Sequence, residues 1–316
     1  MTILRALAAA TLGLALAAAP AVADTARFGS GQQGSQNYGV NAALGQAIDD
    51  GTDLEVSVQA FGGPTAFLPL VDTGELEFAA VVTPDVGDAV RGTGPFEGLK
   101  LENIRLVAAL FPSPVGLMVR KDSGIETIAD LKGKRVAGGL TAQASLVPYV
   151  EGALANGGLT MDDVTVVPVA SVANGVDELV AGRVDATLFA LRGGKVVEAD
   201  SSVGVKWLPF DASPEAVARM QAVAPEAYLV PVTPEDKVVG APTAIETMAY
   251  DYVLVAGAGV PDESVAAVAT LLKEKGAEIA AGSKVLGAIK PDGLGRVYPQ
   301  IPHHPAAATA LGVTAN

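Results

Sequence analysis

The sequence predicts an α/β protein, with a parallel sheet covered by helices on both faces. Three observations lead there. Half of the residues are apolar and 18% are charged, which excludes a disordered chain and leaves ample core for 316 residues. Apolar alternation of period two, as in Leu54, Val56 and Val58, recurs along the chain. Between these segments the apolar residues return at helical spacing, and strand–helix–strand units in series require parallel pairing.

Residues 1–23 read as an export signal. Arg5 is the only charge, an Ala- and Leu-rich run follows, and Ala21-Val22-Ala23 makes a small-x-small cleavage site before Asp24. The run is shorter than the ~20 residues a bilayer span needs. Asp24 stands where a lipid-anchored protein would carry Cys, so the expectation is an exported, periplasmic chain without a lipid anchor. Nucleoside triphosphates and nicotinamide cofactors are not supplied there.

In chain order, helices are predicted over 38–49, 64–73, 143–155, 173–181 and 263–281. In the second, Thr65 is placed as a cap and Gly74 as a stop. Strands are predicted over 54–58, 76–82, 104–110, 116–120, 135–137, 164–169, 185–189 and 252–255. In open α/β sheets a ligand sits at the carboxyl ends of the strands, in the loops that lead into helices. Those loops are 29–37, 61–65, 82–85, 138–145 and 190–194. Their glycines and hydroxyl, amide or charged groups suit a small anion held on backbone N–H groups.

Composition removes other chemistries. Thirty-five acids against 21 bases, a formal charge of −14, oppose nucleic acid and anionic lipid. The absence of Cys removes disulfides, thiolate nucleophiles and Cys-ligated metals. The two histidines, His303 and His304, are adjacent in a proline-framed turn and read as structural, so no metal is expected. Asp49–Asp50 and Asp162–Asp163 read as solvated acids, and no G-x-S-x-G elbow occurs. Gly29–Gly34 spells G-x-G-x-x-G, but the following strand ends in Gln59 and Ala60 rather than the acid a dinucleotide needs. No cofactor and no enzymatic activity are expected. Arg192 follows an apolar strand at the ligand edge and has two readings: a guanidinium for a carboxylate, or a surface charge.

Read in order, Gly29–Tyr38, Gly62-Gly63-Pro64, Asp72–Glu77, Val82–Asp85, Gly94-Pro95-Phe96, Val119–Val136, Ala181–Ala190 and His304-Pro305 resemble one family. It is the TAXI-type substrate-binding proteins of TRAP (tripartite ATP-independent periplasmic) transporters. The resemblance implies a type II periplasmic binding protein, two α/β lobes joined by a two-strand hinge with the ligand cleft between them. Lobe 1 would comprise residues 24–118 and 252–316, and lobe 2 residues 119–251. It implies a protein that binds an amino acid such as glutamate or glutamine, or an organic acid such as 2-oxoglutarate, and delivers it to membrane permease subunits; its domain organisation leads us to expect a monomer. A sensor's receptor or that of an ATP-driven permease would need the same cleft. The candidate ligand residues are Gln33, Ser35, Tyr38, Gly63, Thr65, Thr83 and Asp85 from lobe 1. Thr141, Gln143, Ser145 and Arg192 come from lobe 2. Asp85 would meet an ammonium or cap its helix. Three loops depart from the family pattern: 33–38, 139–145 and Thr83-Pro84-Asp85.

Overall fold

A computed structural model describes residues 25–33, 35–192 and 194–314. The export signal, with Gly34 and Gly193, lies outside the described residues. The first half-sheet follows the predicted rhythm. Strand β1 (Thr25–Ser30) leads to helix α1 (Gln36–Gly51), β2 (Glu55–Ala60) to α2 (Pro64–Thr73), and β3 (Phe78–Val82) to α3 (Thr83–Arg91). Leu44 and Ile48 are fully buried on one face of α1 at helical spacing. Helix α2 stops at Gly74, which takes a left-handed conformation at φ 79°, the cap that glycine adopts most readily.

Strand β4 (Ile104–Arg120) then runs for 17 residues, where two strands were predicted. The sequence suggests a break at Pro112-Ser113-Pro114, but those prolines lie just past the end of the ladder to a neighbouring strand, at Val115 opposite Ala190. A missing N–H leaves no partner unserved at an edge. The second half continues with β5 (Arg135–Gly138), α4 (Val147–Asn156), β6 (Thr165–Pro168), α5 (Val172–Val180), β7 (Ala186–Ala190) and α6 (Gly194–Val203). Next come β8 (Val205–Trp207), α7 (Pro214–Val223) and β9 (Tyr228–Val232). Strand β10 (Ile245–Gly257) returns, followed by α8 (Asp262–Gly282) and α9 (Pro305–Leu311).

The sheet order is β2-β1-β3-β10-β4-β7-β5-β6, with β8 on β4 and β9 on β10. The sheet is mixed rather than wholly parallel, because β10 runs antiparallel to β3 and β4, and β4 to β7. The fold is a mixed α/β architecture in which two long strands, β4 and β10, are shared by both halves. Buried apolar side chains divide accordingly. One cluster is drawn from Val115 to Tyr250; the other two come from residues up to Phe111 and from Tyr252 onward.

One buried amide fixes α1 on the sheet. Asn41 is fully buried; its Oδ1 accepts the Ala80 N–H at 2.7 Å, and its Nδ2 donates to the Ala80 carbonyl at 2.9 Å. Replacing Asn41 by Leu strands the Ala80 N–H in an apolar setting, while the Ala80 carbonyl keeps a second donor, Asn37 Nδ2, at 2.8 Å. The expected loss is about 1–3 kcal/mol in urea unfolding, and a loss below a few tenths would show that water takes over the role.

Candidate functional site

A cavity of about 830 Å³ opens between the two halves. Its wall is made from the starts of helices. Ser35, Gln36 and Asn37 come from α1, Gly63, Pro64 and Thr65 from α2, and Val82 and Asp85 from α3. From the other half come Thr141–Leu146 ahead of α4, Val172 of α5 and Gly194 of α6. Six helical N-termini therefore face one space. Helices α2 and α3 start without a side-chain cap, so their orphan N–H groups are left for solvent or a ligand. Partial positive charge accumulates there without any cation. Among the described lining residues none is Lys, Arg or His, and Asp85 is the one acid.

Local chemistry sets each position. Ser35 caps α1, its Oγ accepting the Tyr38 N–H at 3.1 Å. Asn37 braces the preceding loop, accepting from the Gly31 N–H at 2.7 Å and donating to the Ala80 carbonyl at 2.8 Å. Gln143 accepts the Val172 N–H at 2.9 Å, joining the α4 loop to the start of α5. Leu140, in that same loop, is buried with φ at +30°, a costly region for a branched side chain.

Asp85 meets the opposite half directly: the Ser145 hydroxyl donates to its Oδ1 at 2.6 Å. Burial raises the Asp85 carboxyl from the ordinary 3.8 to about 6; the Ser145 bond opposes the rise and the nearby Asp88 adds to it. Tyr250 and Tyr252 form an aromatic floor, with Phe111 stacked on Tyr252 at 5.1 Å between ring centres. Burial, with the Asp85 charge, pushes the Tyr250 hydroxyl up to about 12, so it stays a neutral donor.

Of the predicted residues, the cavity brings together Ser35, Gly63, Thr65, Asp85, Thr141, Gln143 and Ser145. Four stand elsewhere. Arg192 is exposed and pairs with Asp236 at 3.2 Å, which corresponds to the surface-charge reading. Gln33 is exposed in the turn before α1, outside the wall. Tyr38 is half-buried on the first turn of α1 and serves that turn through its backbone. Thr83 is fully buried behind the wall, where its Oγ1 accepts the Asp251 N–H at 3.3 Å. Sequence reasoning missed Gln36, Asn37, Ser113, Tyr250 and Tyr252. The prolines around Ser113 signal a special strand position, but the tyrosines lie on a strand predicted to start only at Tyr252.

The other motifs have packing explanations. A side chain at Gly29 would meet Leu76 and Phe67 at 2.8 and 2.9 Å, so that glycine admits α2 onto β1. His303 and His304 are buried, and His304 caps α9 while its backbone N–H donates to Leu106. No group of three His, Cys, Asp or Glu able to hold a metal occurs among the described residues. No helix among them is long and apolar enough to cross a membrane.

The Asp85 carboxyl titrates higher folded than unfolded, so its contribution to stability is greatest below about pH 4 and is lost as pH rises through about 6. Asp85→Asn is therefore expected to stabilise the ligand-free protein at pH 7.5 by about 1–3 kcal/mol, with the gain vanishing by about pH 4. Chemical unfolding at the two pH values checks this. A loss at pH 7.5 would show that the ionised carboxylate is well solvated.

Comparison with known proteins adds two findings. The profile of the NMT1-like family matches residues 28–311. Among solved structures, a TctC solute-binding protein from Polaromonas is 16% identical with a TM-score of 0.57, over 92% of this chain and 98% of that one. A putative periplasmic sulfonate-binding protein, SsuA, of Methylobacillus flagellatus KT is 18% identical with a TM-score of 0.52, over 81% and 69%. The L-cystine solute receptor of Neisseria gonorrhoeae, in its unliganded open conformation, is 18% identical with a TM-score of 0.50, over 84% and 92%. At such identities the likeness is one of fold.

Proposed function

The chain belongs to the NMT1-like family and has the fold of periplasmic solute-binding proteins; on that footing we propose a receptor that delivers a small solute to a TRAP membrane permease. The solute is anionic or zwitterionic: an amino acid such as glutamate or glutamine, or an organic acid such as 2-oxoglutarate. The observation that carries this reading is the convergence of six helical N-termini on a cavity with no cationic side chain among the described residues. Such a wall holds one carboxylate by backbone N–H groups and helix dipoles. The cavity volume suits a molecule of amino-acid size with its first waters.

The mechanism is lobe closure. Residues 24–118 with 252–316 would move against residues 119–251, flexing where β4 and β10 pass between the halves. A carboxylate docks on the α1 to α3 side near Ser35, Gly63 and Thr65, and Asp85 receives an ammonium or hydroxyl. Closure then adds Thr141, Gln143 and Ser145. Only the closed state makes both sets of bonds, so the solute shifts the population toward it. Each charge-assisted hydrogen bond contributes about 1.5–3 kcal/mol, so two or three reach micromolar affinity after ordering costs. The protein acts as a monomer in the periplasm and catalyses no reaction. The fold likeness to SsuA of a sulfonate ABC transporter gives a second reading, delivery to an ATP-driven permease. Uptake into membrane vesicles carrying the permease separates the two: an ion gradient without ATP drives the first.

A thermal-shift screen of residues 24–316 against amino acids, dicarboxylates, 2-oxoacids and sulfonates tests the ligand class. A ligand at a hundred times its Kd stabilises by about 2.7 kcal/mol. A carboxylate hit is the expected outcome. Silence across the panel, with no small molecule released when host-purified protein is denatured, would sink the proposal.

A further inference from the structure

Away from the solute cavity the two halves touch a second time. Glu226 lies in the loop after α7 and is only 6% exposed. Its carboxylate reaches across to α3 and accepts from Arg91. Arg91 is also held on its own side: Asp88 accepts from it at 3.3 Å, and Gln300 accepts from its other nitrogen. Asp88 is fixed in turn by the Thr93 hydroxyl at 2.9 Å.

Two glycines shape the receptor for that carboxylate. A side chain at Gly87 would meet the Glu226 Oε1 at 2.5 Å and its Cδ at 2.8 Å, so Glu226 seats directly on the helix backbone. A side chain at Gly94 would meet the Asp88 Oδ2 at 2.5 Å. Glycine inside a helix costs about 1 kcal/mol relative to alanine, so the opening at Gly87 carries a local cost. Arg91, Glu226 and Gly87 are not among the solute-cavity residues. Arg91 and Glu226 border a separate space of about 210 Å³, divided from the cavity by Ala144 and Ser145, which line both.

We propose that Glu226, seated on Gly87 and bonded to Arg91, is a closure latch: a positioning contact outside the solute cavity that sets how long the two halves stay shut. This rests on the lobe-closure reading above. The latch acts on the solute only through the closed state. Breaking it raises the release rate and the open population while leaving the solute's own contacts intact. The charge-assisted bond, contributing in the ordinary range, shifts the open-to-closed ratio by about tenfold or more.

The test measures distances in the ligand-free protein by electron–electron resonance between spin labels on Leu99→Cys and Val197→Cys. These are exposed sites, one on each half, in a chain with no cysteine of its own. E226Q and G87A are each expected to enlarge the long-distance population about tenfold. G87A should do so without lowering the melting temperature, since alanine favours the helix. Adding E226D to G87A withdraws the carboxylate by one methylene and should restore the short distance, a rescue that general damage would not show. S145W, a wedge at the cavity wall, reports whether the halves move at all. If S145W lengthens the distance while E226Q and G87A match the parent, the latch is overturned and closure stands. If none of the variants changes the distance, lobe closure fails and the latch with it.

Discussion

Strands β4 and β10 pair antiparallel from Val115 opposite Met248 to Ile104 opposite Gly257, and both halves are built outward from that ladder. On one side β10 carries β3; on the other β4 carries β7. Every other element reaches its position through one of these two strands. The ladder must therefore hold two cores at once. Register shifts between Tyr252 and Val253 and between Leu254 and Val255 supply local twist. At this crossing Asp251 is 2% exposed, with hydroxyls of Tyr228 and Tyr298 donating to it and Arg296 at 3.4 Å. A buried carboxylate needs such partners, and these three come from β9 and from the chain beyond α8, so the crossing is tied to both neighbours.

The cavity follows from the same arrangement. Strands that end at one edge send their helices away from that edge, so the helical N-termini collect around the gap between the halves. Positive potential there is a property of backbone dipoles rather than of side chains. That reconciles a formal charge of −14 with an anion-friendly site. Acidic side chains elsewhere on the surface are screened by salt, whereas the dipoles act inside a partly enclosed space. Asp85 is the single exception in the wall. Its raised titration point follows from its burial, with the nearby Asp88 adding to the rise and the Ser145 hydroxyl opposing it.

Much of this was legible in the sequence. The strand–helix alternation up to Val82 reads correctly because each helix buries a regular apolar face, as with Leu44 and Ile48 on α1. The loops into α1, α2, α3 and α4 were identified as the ligand edge from their place after strands, and residues of all four line the cavity. The errors have specific causes. β4 was split because prolines normally end strands, and nothing local shows that the neighbouring ladder stops at Val115. Thr83 reads as a ligand residue from its place in the loop after a strand, yet its side chain turns toward β10. Arg192 is four residues past the middle of an apolar strand, which suits a site as well as it suits the surface pairing with Asp236.

The sequence by itself determined the class of fold, the lack of thiol chemistry, and the loops that would meet at the sheet edge. These are local properties: side-chain period, residue type and order along the chain. Tertiary structure alone decided that the two long strands run antiparallel through the middle of the sheet. It alone brought Ser145 to Asp85 and Glu226 to Gly87 and Arg91, pairs separated by long stretches of chain. Contacts of that kind depend on how two independently packed halves are set against each other, and no periodicity within either half encodes that geometry.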